Sequence, residues 1–162
     1  MKTLLLVCHS RTGGARSMAD AAAAAARAHE VTLRYRCAEA AGPRDLIEAD
    51  GYLFAAPENL AALAGAMKEF FDRCYYPALG RLNGRPYAGL ICAGTDGGGA
   101  ARQLARIATG WRLREVAPPV IVRTGAQTEE AILAPKTILP SEIARCAELG
   151  ATLAAGMALG IF

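Results

Sequence analysis

The sequence predicts an α/β protein built on one doubly wound parallel sheet of five strands in the order 2-1-3-4-5, with helices on both faces. Short apolar runs alternate five times with helix-forming stretches over 162 residues, as in successive βαβ units. No repeat, low-complexity linker or shift in composition divides the chain. Residues 1–162 are therefore predicted to form a single domain, which is long enough for a sizeable core.

The composition argues against several classes of partner. Hydrophobic residues make up 53% of the chain, which indicates a globular protein. The net charge of +3, with no block of lysine and arginine, argues against nucleic acid. The longest apolar tract, residues 149–162, is shorter than the ~18 residues of a membrane span and is predicted to be a buried terminal helix. The five cysteines are scattered without a C-x-x-C pair, which indicates free thiols in a reducing cytoplasm.

The first half of the chain supplies three strands. Residues 3–8 form an apolar run typical of a buried parallel strand, and alanine-rich residues 14–29 favour a helix packed close to the sheet. Residues 31–36 alternate apolar and polar side chains, as an edge strand does. A short helix over 44–48 and a third strand over 52–56 follow.

The second half continues the alternation. Pro57 is predicted to end the third strand, since proline cannot donate to a sheet ladder. A helix over 63–79 carries apolar side chains at helical spacing, which indicates core or a subunit contact. The remaining predicted elements are a strand over 87–93, a helix over 100–109, an edge or bulged strand over 114–122 containing Pro118-Pro119, an irregular stretch over 123–140, and a final helix capped by Ser141.

Three loops would meet at the carboxyl ends of the strands, where doubly wound sheets bind ligands. After the first strand come hydroxyls, small residues and a helix start, which together suit a phosphate group. The loops after the third and fourth strands offer backbone and small polar groups to a flat ring. The candidate residues of the three loops are Ser10, Arg11, Thr12, Gly13, Gly14 and Ala15; Pro57, Glu58, Asn59 and Leu60; and Gly94, Thr95, Asp96, Gly97 and Gly98.

These segments resemble the flavodoxin-like FMN-binding family over nearly the whole chain. His9-Ser10-Arg11-Thr12-Gly13-Gly14 is similar to the family's phosphate loop, T/S-x-T-G-x-T. Residues 49–59 and 93–98 look like the two ring-binding segments, and residues 65–73 look like the helix between them. The resemblance implies the flavodoxin-like strand order given above.

The resemblance also implies roles for individual residues. Ser10, Thr12, Gly13 and Gly14 would hold the phosphate of FMN, and the candidate residues of the other two loops would line the isoalloxazine. The family's last loop hydroxyl is replaced by Ala15, which removes a hydrogen bond to the phosphate. We expect Arg11 or Arg16 to compensate, although Arg16 suits the exposed face of the helix better.

The ring-binding segments contain no aromatic residue, and the net charge is slightly positive. Typical flavodoxins sandwich the flavin between aromatic side chains and are strongly acidic. The sequence therefore favours an FMN-binding oxidoreductase that passes reducing equivalents from NAD(P)H to a small acceptor such as a quinone. No catalytic side chain and no metal are expected, because the flavin supplies the chemistry. The alternatives are an electron carrier and a flavin-free interaction or regulatory module of the same fold, which Ala15 supports.

Other interpretations fit less well. Cys8 followed by Arg16 resembles the loop of small tyrosine phosphatases, but seven residues intervene where that chemistry needs five. A receiver domain would require acidic residues after the first strand. His9 is interpreted as a hydrogen-bonded residue at a strand end. The aromatic stretch 70–76 beside the site indicates a possible homodimer.

Overall fold

A computed structural model describes all residues, 1–162. Apolar runs became strands and amphipathic or alanine-rich stretches became helices, in strict alternation over most of the chain. The elements are β1 (Lys2–Cys8), α1 (Gly14–Ala26), β2 (Val31–Cys37), α2 (Pro43–Glu48), β3 (Gly51–Asn59), β4 (Ala62–Leu63), α3 (Gly65–Ala78), β5 (Pro86–Ala93), α4 (Gly98–Gly110), β6 (Arg114–Glu115), β7 (Val120–Arg123), α5 (Glu129–Leu133) and α6 (Pro140–Ala158).

The sheet is parallel and helices cover both faces, as predicted. The strand count and order differ from the prediction: seven strand segments are present, in the order β2-β1-β3-β5-β6, with β7 also paired to β5 and β4 paired to β3. The last predicted strand is split into β6 and β7, because Pro118 and Pro119 lie between them and cannot donate to the ladder. The additional segment, β4, is a short antiparallel arm at the end of β3.

Pro57 does not end its strand, contrary to the prediction. It lies opposite Cys92 of β5 in the parallel ladder, and its carbonyl accepts a hydrogen bond from the Ala64 N–H at 3.0 Å. Proline lacks only the N–H, so its carbonyl still pairs. The strand consequently continues two residues beyond Pro57 and carries Glu58 and Asn59 to the rim of the sheet.

Several helices begin or end at residues other than those predicted from the sequence. The first helix stops at Ala26, three residues before the predicted end. The final helix begins at Pro140 with Leu139 in the cap position and no side-chain cap bond, so Ser141 is not the cap. The stretch predicted to be irregular contains α5, whose cap is Thr128: its hydroxyl accepts from the Ala131 N–H at 3.2 Å.

Two apolar layers sandwich the sheet. On one face α1 and α6 pack closely, because Gly150 lies against the backbone of Ala22 and no larger residue fits there. The opposite face buries most of the aromatic side chains, including Phe54, Phe71 and Trp111. No helix is long and apolar enough to cross a membrane. Both layers hold the carboxyl ends of β1, β3 and β5 at one rim, where the three candidate loops emerge.

Candidate functional site

The loop after β1 is shaped by short-range bonds. The Ser10 hydroxyl accepts the Gly13 N–H at 3.2 Å, and Gly13 has a φ of 95°, which a residue with a side chain adopts only at a cost. The first helical bond of α1 runs from the Ser17 N–H to the Gly13 carbonyl at 2.9 Å. The N–H groups of residues 14–16 therefore have no intrahelical acceptor. No acidic residue occupies the first turn, so this end of α1 suits an anion.

Cys8, the last residue of β1, and His9, which follows it, have surroundings that indicate structural rather than catalytic roles. Cys8 is buried, and burial raises the pKa of its thiol to about 11. A thiol with that pKa is protonated at neutral pH and is a poor nucleophile, which argues further against phosphatase chemistry. His9 Nδ1 lies 2.6 Å from Glu39 Oε1, in agreement with the interpretation of His9 as a hydrogen-bonded residue at a strand end.

The loop after β3 is a tight hairpin with an unusual backbone. Asn59 pairs with Ala62 across the two strands, and the two residues between them are Leu60 and Ala61, with φ values of 51° and 63°. Two-residue turns of this kind favour asparagine and glycine, since both central residues need positive φ. The Leu60 side chain is fully exposed at the tip.

Long-range contacts hold this hairpin against α4. Glu58 places one carboxylate oxygen 2.8 Å from the Gly97 N–H and the other 2.9 Å from the Ala100 N–H. It thus caps the first turn of a helix that begins some forty residues later in the chain. A further bond joins the Leu63 N–H to the Gln103 side-chain oxygen at 2.7 Å. Glu58 was predicted to line a ring site, and the structure shows that its carboxylate also joins two of the candidate loops.

Two glycines make the loop after β5 fit its surroundings. A Cβ on Gly99 would clash with the Ala61 carbonyl, so α4 approaches the hairpin only because this position has no side chain. A Cβ on Gly94 would lie 2.9 Å from the Ala126 carbonyl oxygen. Gly94 therefore allows the segment after β7 to cross close to the rim.

Two adjoining clefts lie between these loops. The smaller, of about 350 Å³, lies along the loop after β1. The larger, of about 550 Å³, opens between the hairpin and the end of β5. Both volumes lie in the range of small-molecule sites. Residues lining one or both clefts are Ser10, Arg11, Thr12, Gly14, Ala15, Pro57, Glu58, Asn59, Leu60, Ala61, Cys92, Ala93, Gly94, Thr95, Thr124, Ala126, Ile132, Leu133 and Lys136.

Most of the candidate residues from the sequence therefore surround one continuous depression. Gly13 shapes its loop without lining a cleft. Residues 96–98 also lie outside the cleft walls, and Gly97 donates its N–H to Glu58.

Sequence reasoning missed three groups of lining residues, the first of which is Ala61 at the tip of the hairpin. Cys92 and Ala93 could have been found as the last residues of a strand that points at the site. The third group lies on the segment after β7, whose sequence carries no recognisable motif. No cluster of three or more potential metal ligands is present.

Residues 40–127 match the profile of the family described as NADPH-dependent FMN reductase. This match covers more than half of the chain, including the hairpin and the loop after β5. The chain belongs to this family. It is a flavodoxin-like, FMN-binding flavoprotein, as the sequence resemblance implied.

Individual relatives agree with this assignment. A flavodoxin from Aquifex aeolicus (strain VF5) is 31% identical over 100 residues, which cover 61% of this chain and 54% of that protein. The match thus spans about half the length of that curated relative. The fold is shared with flavodoxin 1 from Bacillus cereus, with a TM-score of 0.76, 18% identity and coverage of 94% and 97%. It is also shared with a WrbA-like flavodoxin from Agrobacterium tumefaciens, with a TM-score of 0.74, 20% identity and coverage of 99% of each chain.

The residues present fit FMN. The smaller cleft offers the free N–H groups at the start of α1 and the hydroxyls of Ser10 and Thr12 to a phosphate. The larger cleft is mostly uncharged, and the Glu58 carboxylate within it is already bonded to two backbone N–H groups. An end that suits a phosphate, joined to a broader cleft with few charged side chains, is the arrangement that a flavin mononucleotide requires.

Proposed function

We propose that the protein is an NAD(P)H-dependent FMN oxidoreductase whose second substrate is a small acceptor such as a quinone. Bound FMN would supply the redox chemistry, and no side chain need act as a nucleophile or acid. The chain's own task is to bind the cofactor, orient it and leave it accessible. Family membership supports the redox function, and the shape of the site supports an enzyme over a carrier.

The observation that carries this proposal is the absence of aromatic side chains from both clefts. Most aromatic rings lie instead in the buried layer on one face of the sheet, as with Phe54, Phe71 and Trp111. The large apolar side chains exposed in the larger cleft are aliphatic: Leu60 and Ile132. A flat cofactor held there would keep one face uncovered, with room for a nicotinamide or an acceptor to stack.

We assign the loop Ser10–Ala15 to the phosphate, and the other two candidate loops to the isoalloxazine. Backbone N–H groups near Asn59 and at Gly94 and Thr95, which line the larger cleft, would stabilise negative charge on the reduced ring. Gly97 would act through its bond to Glu58, because that bond fixes the loop in front of α4.

The proposal is tested by mixing the purified protein with FMN and then NADPH or NADH under nitrogen, and following flavin absorbance. We expect rapid bleaching with at least one nicotinamide, and recovery of the colour on adding a quinone. A matched pair of variants links the activity to the clefts. Thr12→Asp places a negative charge beside the phosphate seat and should abolish FMN binding, whereas Thr109→Asp, at an exposed position far from the clefts, should not.

A carrier is the second candidate, because the curated relative described above is a flavodoxin. Tight FMN binding without bleaching by either nicotinamide would favour the carrier. A colourless protein that takes up no FMN during dialysis would favour the flavin-free module.

We also propose a homodimer and a cytoplasmic location. Tyr75, Tyr76 and Leu79 form an exposed apolar patch at the end of α3, which a second copy could cover. All five cysteines are unpaired and four of them are buried, as is typical of proteins in a reducing compartment. Sedimentation analysis would show whether the dimer exists in solution.

A further inference from the structure

The segment over residues 124–139, here called the strap, joins the two halves of the site. At its start, the N–H groups of Thr124 and Gly125 donate to the carbonyls of Ala93 and Gly94 at 2.9 and 2.8 Å. Near its end, the Lys136 N–H donates to the Thr12 carbonyl at 2.8 Å. The strap is thus fixed both to the end of β5 and to the loop after β1.

Lys136 carries a positive charge that no acidic group of the chain neutralises. Its ammonium donates to the carbonyls of Ile132 and Ala134 at 2.8 and 2.6 Å. A lysine ammonium has three donors, so one remains free. Lys136 forms none of the ion pairs of the molecule.

Lys136 lines the larger cleft, and its side chain starts beside the first residue of α1. A Cβ built on Gly14, the first residue of α1, would lie 3.4 Å from the Lys136 Cβ and 2.5 Å from the Cys92 sulfur. Both clefts include Thr12 and Cys92 in their walls. The charge also acts on Cys92: burial raises the pKa of that thiol, and the positive charge of Lys136 opposes the rise.

The other cations near this end are less well placed. Arg16, considered from the sequence as a replacement for the missing hydroxyl, lies on the exposed face of α1 with its guanidinium 5.8 Å from the centre of the Tyr35 ring. Arg11 lines the smaller cleft on an exposed loop, and no hydrogen bond or ion pair fixes its side chain. Lys136 alone combines a fixed side chain, a free donor and an uncompensated charge.

We propose that Lys136 binds the phosphate of FMN, together with the loop Ser10–Ala15, and so replaces the hydroxyl that Ala15 lacks. This inference rests on the proposed function, since it assumes that FMN occupies the clefts. It adds a phosphate ligand from the strap to those expected from the loop after β1. The protein should consequently prefer FMN over riboflavin, which has the same ring without the phosphate.

The test compares the affinities of FMN and riboflavin for the wild-type protein and for Lys136→Met. Methionine keeps a long apolar stem and removes the charge. Because a hydrogen bond to a charged group contributes about 1.5–3 kcal/mol, we expect FMN to bind roughly 10- to 100-fold more weakly. The affinity for riboflavin should stay within about twofold by the same reasoning.

Two further variants control this test. Lys136→Arg keeps the charge and should retain most of the preference for FMN, and it serves if the methionine variant does not fold. Lys68→Met makes the same change in net charge on α3, where the lysine pairs with Asp72 at 2.7 Å, and should leave both affinities unchanged.

Lys136 could instead act only by bonding the carbonyls at the end of α5. In that case Lys136→Met would lower the affinities for FMN and riboflavin by the same factor. That result would contradict the role of Lys136 but not the proposed FMN site. If the wild-type protein bound neither ligand, the proposed function and the role of Lys136 would fail together.

Discussion

The two ends of the site are built in opposite ways. The loop after β1 is shaped mainly by bonds between residues three or four apart, with a glycine at its one position of positive φ. The backbone bond from Lys136 to Thr12 adds one contact from a distant segment. The β3–β4 hairpin has two positive-φ residues that are not glycine, and it is held by bonds spanning 39 to 42 residues. The end of the site that we propose for the phosphate is therefore encoded mainly by neighbouring residues and is unstrained. The ring end is strained and depends on α4 for its shape.

Because of this difference, we expect the two ends to respond differently to substitutions elsewhere in the chain. A relaxed loop can present backbone donors to an anion whether or not the ligand is present. The β3–β4 hairpin depends on its contacts with α4, so a change at the start of α4 should alter the shape of the hairpin. We therefore expect such a change to alter binding of the flavin ring. Substitutions at both ends of the site test this dependence.

Gly99→Ala should cause the largest loss of stability, because the added Cβ would clash with the Ala61 carbonyl. A backbone group cannot move aside as easily as a side chain. Overpacking of this kind costs about 1–3 kcal/mol of unfolding free energy, and FMN affinity should fall with it. Urea denaturation and flavin titration measure the two effects. Gly110→Ala is the control at the other end of the same helix, where a Cβ meets nothing within 4 Å. Equal behaviour of the two variants would show that the hairpin does not need the close approach of α4.

Glu58→Ala should cause the next largest loss of unfolding free energy. It removes both hydrogen bonds from the carboxylate to the backbone N–H groups of Gly97 and Ala100, and we expect a loss of about 2 kcal/mol of unfolding free energy. The measurement is again urea denaturation of the apoprotein. Glu30→Ala, at an exposed position without an ion pair, provides the control. If Glu58→Ala were no less stable than Glu30→Ala, the helix cap would contribute nothing to the hairpin.

A pair of small effects with opposite signs compares the two ends directly. Gly13→Ala should destabilise the protein by about 1 kcal/mol, since the φ of 95° disfavours a side chain and nothing else obstructs it. Ala61→Gly should stabilise it by roughly 0.5–1 kcal/mol, because glycine relieves the positive φ of the hairpin. The midpoint temperatures of thermal unfolding of the two variants measure these changes in stability. Two changes of the same sign would contradict the division into a relaxed and a strained end.

Much of this architecture could be predicted from the sequence. The alternation of apolar runs with helix-forming stretches predicted the parallel sheet and its helices, and the small residues after the first strand predicted a tight loop in front of α1. The errors arose where one residue was judged by its local preference alone. Pro57 was expected to stop a strand, but its carbonyl still pairs; Ser141 was expected to cap a helix that begins one residue earlier.

From the sequence alone we could predict the order of the main strands and helices, the rim where the loops emerge and the tight loop at Ser10–Ala15. These features follow from periodicity, glycine and short-range hydrogen bonds, all of which are visible in neighbouring residues. Only the tertiary structure decided that Glu58 caps α4 and that Lys136 lies beside Gly14. Such contacts join residues dozens of positions apart, and their partners are fixed by how the sheet and helices pack rather than by any local pattern.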